Sequence, residues 1–302
     1  MNPVDTALAV IRAGGLVAIP TETVYGLAAD ASNESAVRRV FAAKGRPADH
    51  PLIVHIADAG LLGQWAARIP ASAAVLADAC WPGPLTLLVP KAPHVLAVVT
   101  GGRASVGIRV PAHPLTTELL ARFGGGLAAP SANKFGQVSP TTAEHVRSDL
   151  GELVDYVLDG GDCPVGVEST IVDCTTDPAQ VLRPGGIPTE QIEVLLNGAL
   201  GSAQGPSRAA GMLASHYAPR CTVFVAHDRT DAEQQHARLA AVDSSARLID
   251  ATDDLTTYAR MLYVWLREAD AAGVDAVVAV LPPATGLGHA IRDRLLKAAA
   301  AG

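Results

Sequence analysis

Apolar and polar positions fall in alternating blocks along this chain. Leu16-Val17-Ala18-Ile19 is a continuous apolar run that predicts a buried strand. Pro20 ends it, because proline has no N–H to give to a ladder. Asn2 and Pro3 mark the start of a helix before that strand, and Gly14-Gly15 its stop. Asn33 caps a second helix, in which Val37, Val40 and Phe41 form one apolar stripe. Further strands are predicted over 52–56, 85–89, 105–111, 155–159 and 169–173, with a short one at Val181-Leu182-Arg183. Residues 58–79 read as helical with a break near Pro70, and helices are also expected from about His113, Thr142 and Pro188.

Around residues 199–219 the composition shifts to Gly, Ala, Ser and Pro, which reads as a linker. After it the pattern restarts as strict alternation. Strands are predicted over 221–226, 247–250 and 274–281, and helices over 231–241, 256–271 and 287–299. This order predicts a small three-layer parallel α/β domain. The expected organisation is a first domain over 1–200, a linker over 201–220 and a second domain over 221–302.

Composition narrows the function classes. The 302 residues carry a net charge of -7, and aromatics are only 4%. A cation-coated face for nucleic acid and a stacking platform for successive bases are both disfavoured, so an anion site has to be a local pocket. Cys80, Cys163, Cys174 and Cys221 form no Cys-x-x-Cys pair, which argues against a zinc cluster or a disulfide framework. The N-terminus lacks a basic and apolar leader pattern, and no uncharged apolar run is long enough to span a bilayer. The expectation is a soluble, cytoplasmic protein.

The motifs that carry chemistry sit at strand ends. Thr21, Glu22, Thr23 and Tyr25 follow the first strand, where open α/β sheets place ligands. Lys44-Gly45-Arg46-Pro47 closes a helix; its cations suit either plain capping or phosphate binding. His55 lies inside a strand, as either a core histidine or a ligand contact. Arg109 stands in an apolar strand and has to be paired if buried. The loop 131–142 is rich in hydroxyls and amides, and a helix follows it, an arrangement that fits phosphate or an ordinary turn. No Gly-x-Ser-x-Gly elbow, Walker loop or His-Glu-x-x-His is present. Lys44, Arg46, Arg109 and Arg183 among hydroxyls suggest a recessed anion pocket that works by positioning and charge neutralisation.

These stretches together resemble the YrdC-like threonylcarbamoyl-AMP synthase family. The matching segments are Pro20-Thr-Glu-Thr-Val-Tyr-Gly-Leu27, Lys44-Gly-Arg-Pro47, Pro51-Leu-Ile-Val-His55 and Trp81-Pro-Gly-Pro-Leu-Thr86. They continue with Val106-Gly-Ile-Arg-Val-Pro111, Ala129-Pro-Ser-Ala-Asn133, Ser139-Pro-Thr141, Gly166-Val-Glu-Ser-Thr-Ile171 and Leu182-Arg-Pro-Gly185. His216-Tyr-Ala-Pro219 resembles the linker signature of the longer, two-domain branch.

The resemblance implies a YrdC-like twisted open sheet with a ligand cavity, plus a Rossmann-like C-terminal domain. It implies synthesis of threonylcarbamoyl-AMP and pyrophosphate from L-threonine, bicarbonate or CO2, and ATP. Mg²⁺ would accompany ATP without a dedicated protein site, and the product would pass to a tRNA threonylcarbamoyl-transferase complex, with direct tRNA binding weak or absent. Carried over by motif, Thr23, His55, Arg109, Ala129 and Ser169 would hold threonine. Arg46, His50, Ser105, Ser131, Asn133, Ser139, Arg183 and Tyr217 would hold ATP. Lys44, Arg46 and Arg109 would carry the catalytic charge, and His216 with Tyr217 would form a lid. Three departures stand out: His50 where Asn is usual, Phe135 in the serine-rich loop, and a divergent linker at 208–215.

Overall fold

A computed structural model of the chain describes residues 2–198, 200–201 and 217–300. Ten strands build one mixed sheet: β1 (Val17–Ile19), β2 (Gly26–Asp30), β3 (Ile53–His55), β4 (Leu85–Pro90), β5 (Ser105–Arg109), β6 (Leu127–Ala128), β7 (Tyr156–Val157), β8 (Thr170–Asp173), β9 (Ala179–Arg183) and β10 (Leu200–Gly201). Their spatial order is β10-β9-β8-β4-β5-β3-β6-β2-β1-β7. Parallel pairs join β1 to β7, β3 to β5, β4 to β8 and β9 to β10; the other neighbours are antiparallel. Strands buried on both faces read as the continuous apolar runs seen in the sequence.

Two features depart from the sequence pattern. The loop after β1 does not cross to a helix. It returns as a hairpin into β2, pairing Ile19 with Gly26. The small residues of β2, Gly26 to Ala29, give little strand signal. Leu200 and Gly201 add a short edge strand beside β9 inside the stretch that reads as linker. A pairing that short leaves no periodicity to read.

The second sheet has β11 (Thr222–Ala226), β12 (Ala246–Ile249) and β13 (Ala276–Val280), all parallel in the order β11-β13-β12. The helix Arg229–Ala240 packs Ala232 and Leu239 against Val278 and Val280 on one face. The helices Leu255–Ala272 and Gly288–Ala299 pack Leu262, Leu266, Ile291 and Leu295 with Val277 and Ala279 on the other. This is the three-layer arrangement that the alternation predicts.

The two units meet at the loops on one end of the large sheet. Val24, Val138 and Val167 of the first unit belong to the apolar cluster of the second. Arg267 pins the contact: its Nη2 donates to the Val138 carbonyl at 2.5 Å and to Asp149 Oδ2 at 2.6 Å. Burial of each such valine contributes about 1.5–3 kcal/mol.

Candidate functional site

The cleft lies where the carboxyl ends of β1, β3 and β5 approach the Ser131 loop and the start of β8. The parallel register of β3 and β5 sets His55 directly beside Arg109. The 20–25 hairpin loop is organised by Thr21. Its hydroxyl accepts from the backbone N–H groups of Thr23 (3.1 Å) and Val24 (3.2 Å) and donates to the Val24 carbonyl at 2.6 Å. That last bond uses the only hydroxyl proton Thr21 has. The 2.8 Å contact between the Thr21 and Thr23 hydroxyls therefore has Thr23 as donor. Thr23 is left with lone pairs for the cleft, which suits a ligand N–H.

Arg109 is buried and fixed. Its Nη2 donates to Glu22 Oε1 at 2.7 Å and its Nε to the Gly83 carbonyl at 3.3 Å. Glu22 Oε2 also accepts from the Ala112 N–H at 3.0 Å. Burial would raise the Glu22 carboxyl, but Arg109 outweighs it and the pKa is lowered. Burial, reinforced by Arg109, lowers the His55 pKa to about 3, so its imidazole is neutral at physiological pH. Its Nδ1 is buried without a partner in ordinary hydrogen-bond geometry.

The helix Glu34–Lys44 ends at Gly45, whose φ of 64° supplies the left-handed cap. Lys44 does not point into open space. Its ammonium donates to the Ser131 carbonyl (2.6 Å), the Asn133 carbonyl (2.6 Å) and Asn133 Oδ1 (3.2 Å). Three acceptors match its three N–H bonds. Burial pushes its pKa down, and neighbouring Arg46 adds to this. Arg46 lies beyond the helix end, with Nη2 donating to the Pro51 carbonyl at 3.1 Å and its guanidinium 5.6 Å from the Phe135 ring centre. Its Nε is buried with no partner, and burial lowers its pKa to about 10, which still leaves a cation at neutral pH. A buried, unsatisfied guanidinium N–H beside a cleft is suited to an anion.

Opposite, Arg183 at the end of β9 donates from Nε and Nη2 to the Ser169 carbonyl, and from Nη2 to Ser169 Oγ at 3.1 Å. Ser169 Oγ also meets Thr86 Oγ1 at 2.8 Å. The β9 turn can lie this close because Gly185 lacks a Cβ. A Cβ there would sit 2.3 Å from the Glu168 carbonyl.

The cleft thus brings together Thr23, Arg46, His55, Arg109, Ala129, Ser131, Ser169, Arg183 and Tyr217. Lys44, Asn133 and Ser139 stand behind its wall. Asn133 accepts from Ser131 Oγ and donates to the Gln137 carbonyl, both at 2.6 Å, and Ser139 Oγ donates to Glu168 Oε1 at 2.6 Å. His50 packs edge-on against Phe135, and Ser105 stands at the far end of β5 from Arg109, opposite Pro90. His216 lies outside the described residues. Tyr217 is buried, adopts φ 64°, and stacks on Tyr263 at 5.9 Å. A left-handed tyrosine is costly, and such strain gathers at functional sites.

Sequence reasoning did not single out Glu22 or Glu168 as site residues. Glu168 lines the cleft and accepts from Ser139, Tyr263 and Arg294. Burial alone would raise its carboxyl; Arg294 and then Arg183 outweigh that and hold its pKa at about 2. One readable signal was Arg294 itself, a cation on the apolar face shared by Ile291, Leu295 and Ala298. Such a residue needs a buried partner. Among the described residues, no group of three or more His, Cys, Asp or Glu side chains is placed to hold a metal ion.

Residues 9–185 match the Sua5/YciO/YrdC family, described as telomere recombination. Residues 187–300 match a domain described as the threonylcarbamoyl-AMP synthase C-terminal domain. The threonylcarbamoyl-AMP synthase of Pyrococcus abyssi is 41% identical over 310 residues, which is 95% of this chain and 91% of that protein. The Bacillus subtilis threonylcarbamoyl-AMP synthase is 40% identical over 317 residues, 97% and 92% of the two chains. The crystal structure of P. abyssi Sua5 complexed with L-threonine aligns with a TM-score of 0.93 and 41% identity, over 98% of this chain and 94% of that one.

Proposed function

The chain belongs to the Sua5/YciO/YrdC family, in its threonylcarbamoyl-AMP synthase branch, and on that premise we propose that it joins L-threonine, bicarbonate or CO2, and ATP into threonylcarbamoyl-AMP, releasing pyrophosphate. The observation that carries this reading is the pairing, in one cleft, of a wall formed by Thr23, His55 and Arg109 with a second cationic wall at Arg46 and Arg183. A relative of near-equal length, P. abyssi Sua5, was crystallised with L-threonine.

In this reading the Arg109 guanidinium, oriented by Glu22, takes the amino-acid carboxylate. Thr23 Oγ1 accepts an N–H from the amino group, and neutral His55 lies beside it. The neutral amine attacks the carbon of CO2, which bicarbonate supplies by losing hydroxide, and passes one proton to water, giving a carbamate. A carbamate oxygen then attacks the α-phosphorus of ATP, the bond to the bridging oxygen breaks, and pyrophosphate leaves. Among the described residues, the cleft lining holds no lysine amine and no cysteine thiol, and in this reading the chain acts by placing the reactants and neutralising phosphate charge. Arg46 and Arg183 hold the phosphates, with Ser131 at the same wall. Lys44, Asn133 and Ser139 act by shaping that wall, while His50 and Ser105 reach ATP only at its periphery.

Glu168, which lines the cleft, and Glu22, which stands behind Arg109, are both engaged by arginines. The residues therefore fit Mg²⁺ only as a companion of the ATP phosphates, whose charge it would offset. Residues 1–200 serve as the catalytic unit, 201–220 as linker and 221–302 as the C-terminal unit, with Tyr217 closing the cleft. The product then passes to a tRNA-modifying transferase, in the cytoplasm. Among the described residues, no helix is long and apolar enough to cross a membrane. The test is pyrophosphate release from ATP in the presence of bicarbonate. Release that requires L-threonine supports the reading, and release indifferent to threonine contradicts it.

A further inference from the structure

Glu168 poses an electrostatic problem. It is a buried carboxylate in a wall shared with Arg46 and Arg183. Left uncompensated, its charge competes with any anionic ligand for those guanidinium groups, because buried charges interact with little screening. Its partner comes from the other unit, 126 residues away. Arg294, on the helix Gly288–Ala299, donates from Nε to Glu168 Oε2 at 2.9 Å. The Tyr263 hydroxyl donates to the same oxygen at 2.8 Å, and Ser139 Oγ donates to Glu168 Oε1 at 2.6 Å.

Arg294 is among the largest fully buried side chains of the described residues, with its side chain 0% exposed. Its Nη1 donates to the Pro184 carbonyl (2.8 Å) and to Asp293 Oδ2 (2.7 Å), and its guanidinium lies 5.2 Å from the Tyr217 ring centre. Desolvating such a cation costs several kcal/mol unless a charge meets it. Two carboxylates meet it, Asp293 on its own helix and Glu168, and Glu168 is the one that would otherwise face the cleft.

We propose that Arg294 is a positioning residue for the cleft: by pairing with Glu168 it neutralises that carboxylate, so that its charge does not offset the attraction of Arg46 and Arg183 for the phosphates of ATP. The C-terminal unit is then part of the site. The inference rests on the ATP-binding reading above and assigns Arg294 no contact with substrate.

The test is ATP and L-threonine binding by titration calorimetry on the full chain, in the native form, in Arg294→Met, and in the double variant Arg294→Met/Glu168→Gln. The single variant is expected to weaken ATP tenfold or more, with threonine affected less. The double variant is expected to return ATP affinity to within threefold of native, because it removes the carboxylate charge together with its partner. A purely structural role for Arg294 gives no such rescue. A single variant that binds ATP normally, or a double variant as weak as the single, overturns the inference. If the single variant is insoluble, the double variant decides alone: native-like affinity supports the inference, and a tenfold loss overturns it. A native chain that binds no ATP would instead overturn the functional reading, and the inference with it.

Discussion

Lys44 offers a prediction whose sign separates two roles. A lysine kept only to touch phosphate would be a burden in the free protein, since burying an ammonium costs several kcal/mol. Replacing it by methionine would then leave stability unchanged or raise it. The structure gives Lys44 a different task. Its ammonium satisfies the Ser131 and Asn133 carbonyls and Asn133 Oδ1, all from the loop that lines the cleft. Lys44→Met fills the same space and strands the Ser131 and Asn133 carbonyls, whereas Asn133 Oδ1 keeps its bond from Ser131 Oγ. Each buried acceptor left without a donor costs about 1–3 kcal/mol, so the loss is roughly 2 kcal/mol or more. With an m-value of about 3 kcal/mol/M, the urea midpoint falls by about 0.7 M or more. Tryptophan fluorescence reads the transition, because Trp65 and Trp81 both belong to the core of the first unit. A midpoint equal to or above that of the native chain would refute the strut role.

Other perturbations report on neighbouring parts of the site. Arg109→Ala is expected to raise the threonine KM tenfold or more with a smaller change for ATP, and Arg46→Ala the reverse; steady-state kinetics that show equal effects on both substrates would contradict the two-wall assignment. The low pKa of His55, about 3 against 6.5 in the unfolded chain, means the unfolded state binds the extra proton. Its contribution is complete above about pH 6.5 and is lost as pH falls toward 3, at up to about 1.4 kcal/mol per pH unit. Denaturation midpoints should therefore drop between pH 6.5 and 4.5, and His55→Gln should flatten that slope. Gly185→Ala places a Cβ 2.3 Å from the Glu168 carbonyl, so a destabilisation of about 1–3 kcal/mol is expected by calorimetry.

Much of the site was legible because chemistry-bearing residues sit at strand ends. Thr23, His55, Arg109 and Arg183 each end or follow an apolar run in the sequence, and the structure gathers them in one cleft. The pairing of His55 with Arg109 depends on the parallel register of two strands about fifty residues apart, which no local pattern encodes. The run Lys44-Gly45-Arg46 shows only a place at a helix end, which suits capping and phosphate binding alike; the catalytic role for Lys44 is implied by the family resemblance alone. Whether an ammonium meets phosphate or carbonyl oxygen depends on the loop folded against it. Glu168 and Arg294 were hidden for a stronger reason. Each looks anomalous alone, a charge in an apolar stretch, and only the docking of the two units makes them a pair.

The proposed reaction requires threonine, a one-carbon unit and ATP to meet in this cleft. The direct measurement is incorporation of ¹⁴C-bicarbonate into a nucleotide product by the purified chain. Label in an adenylate is expected only when ATP and L-threonine are both present. Label that appears without threonine, or no labelled adenylate under saturating substrates, would contradict it.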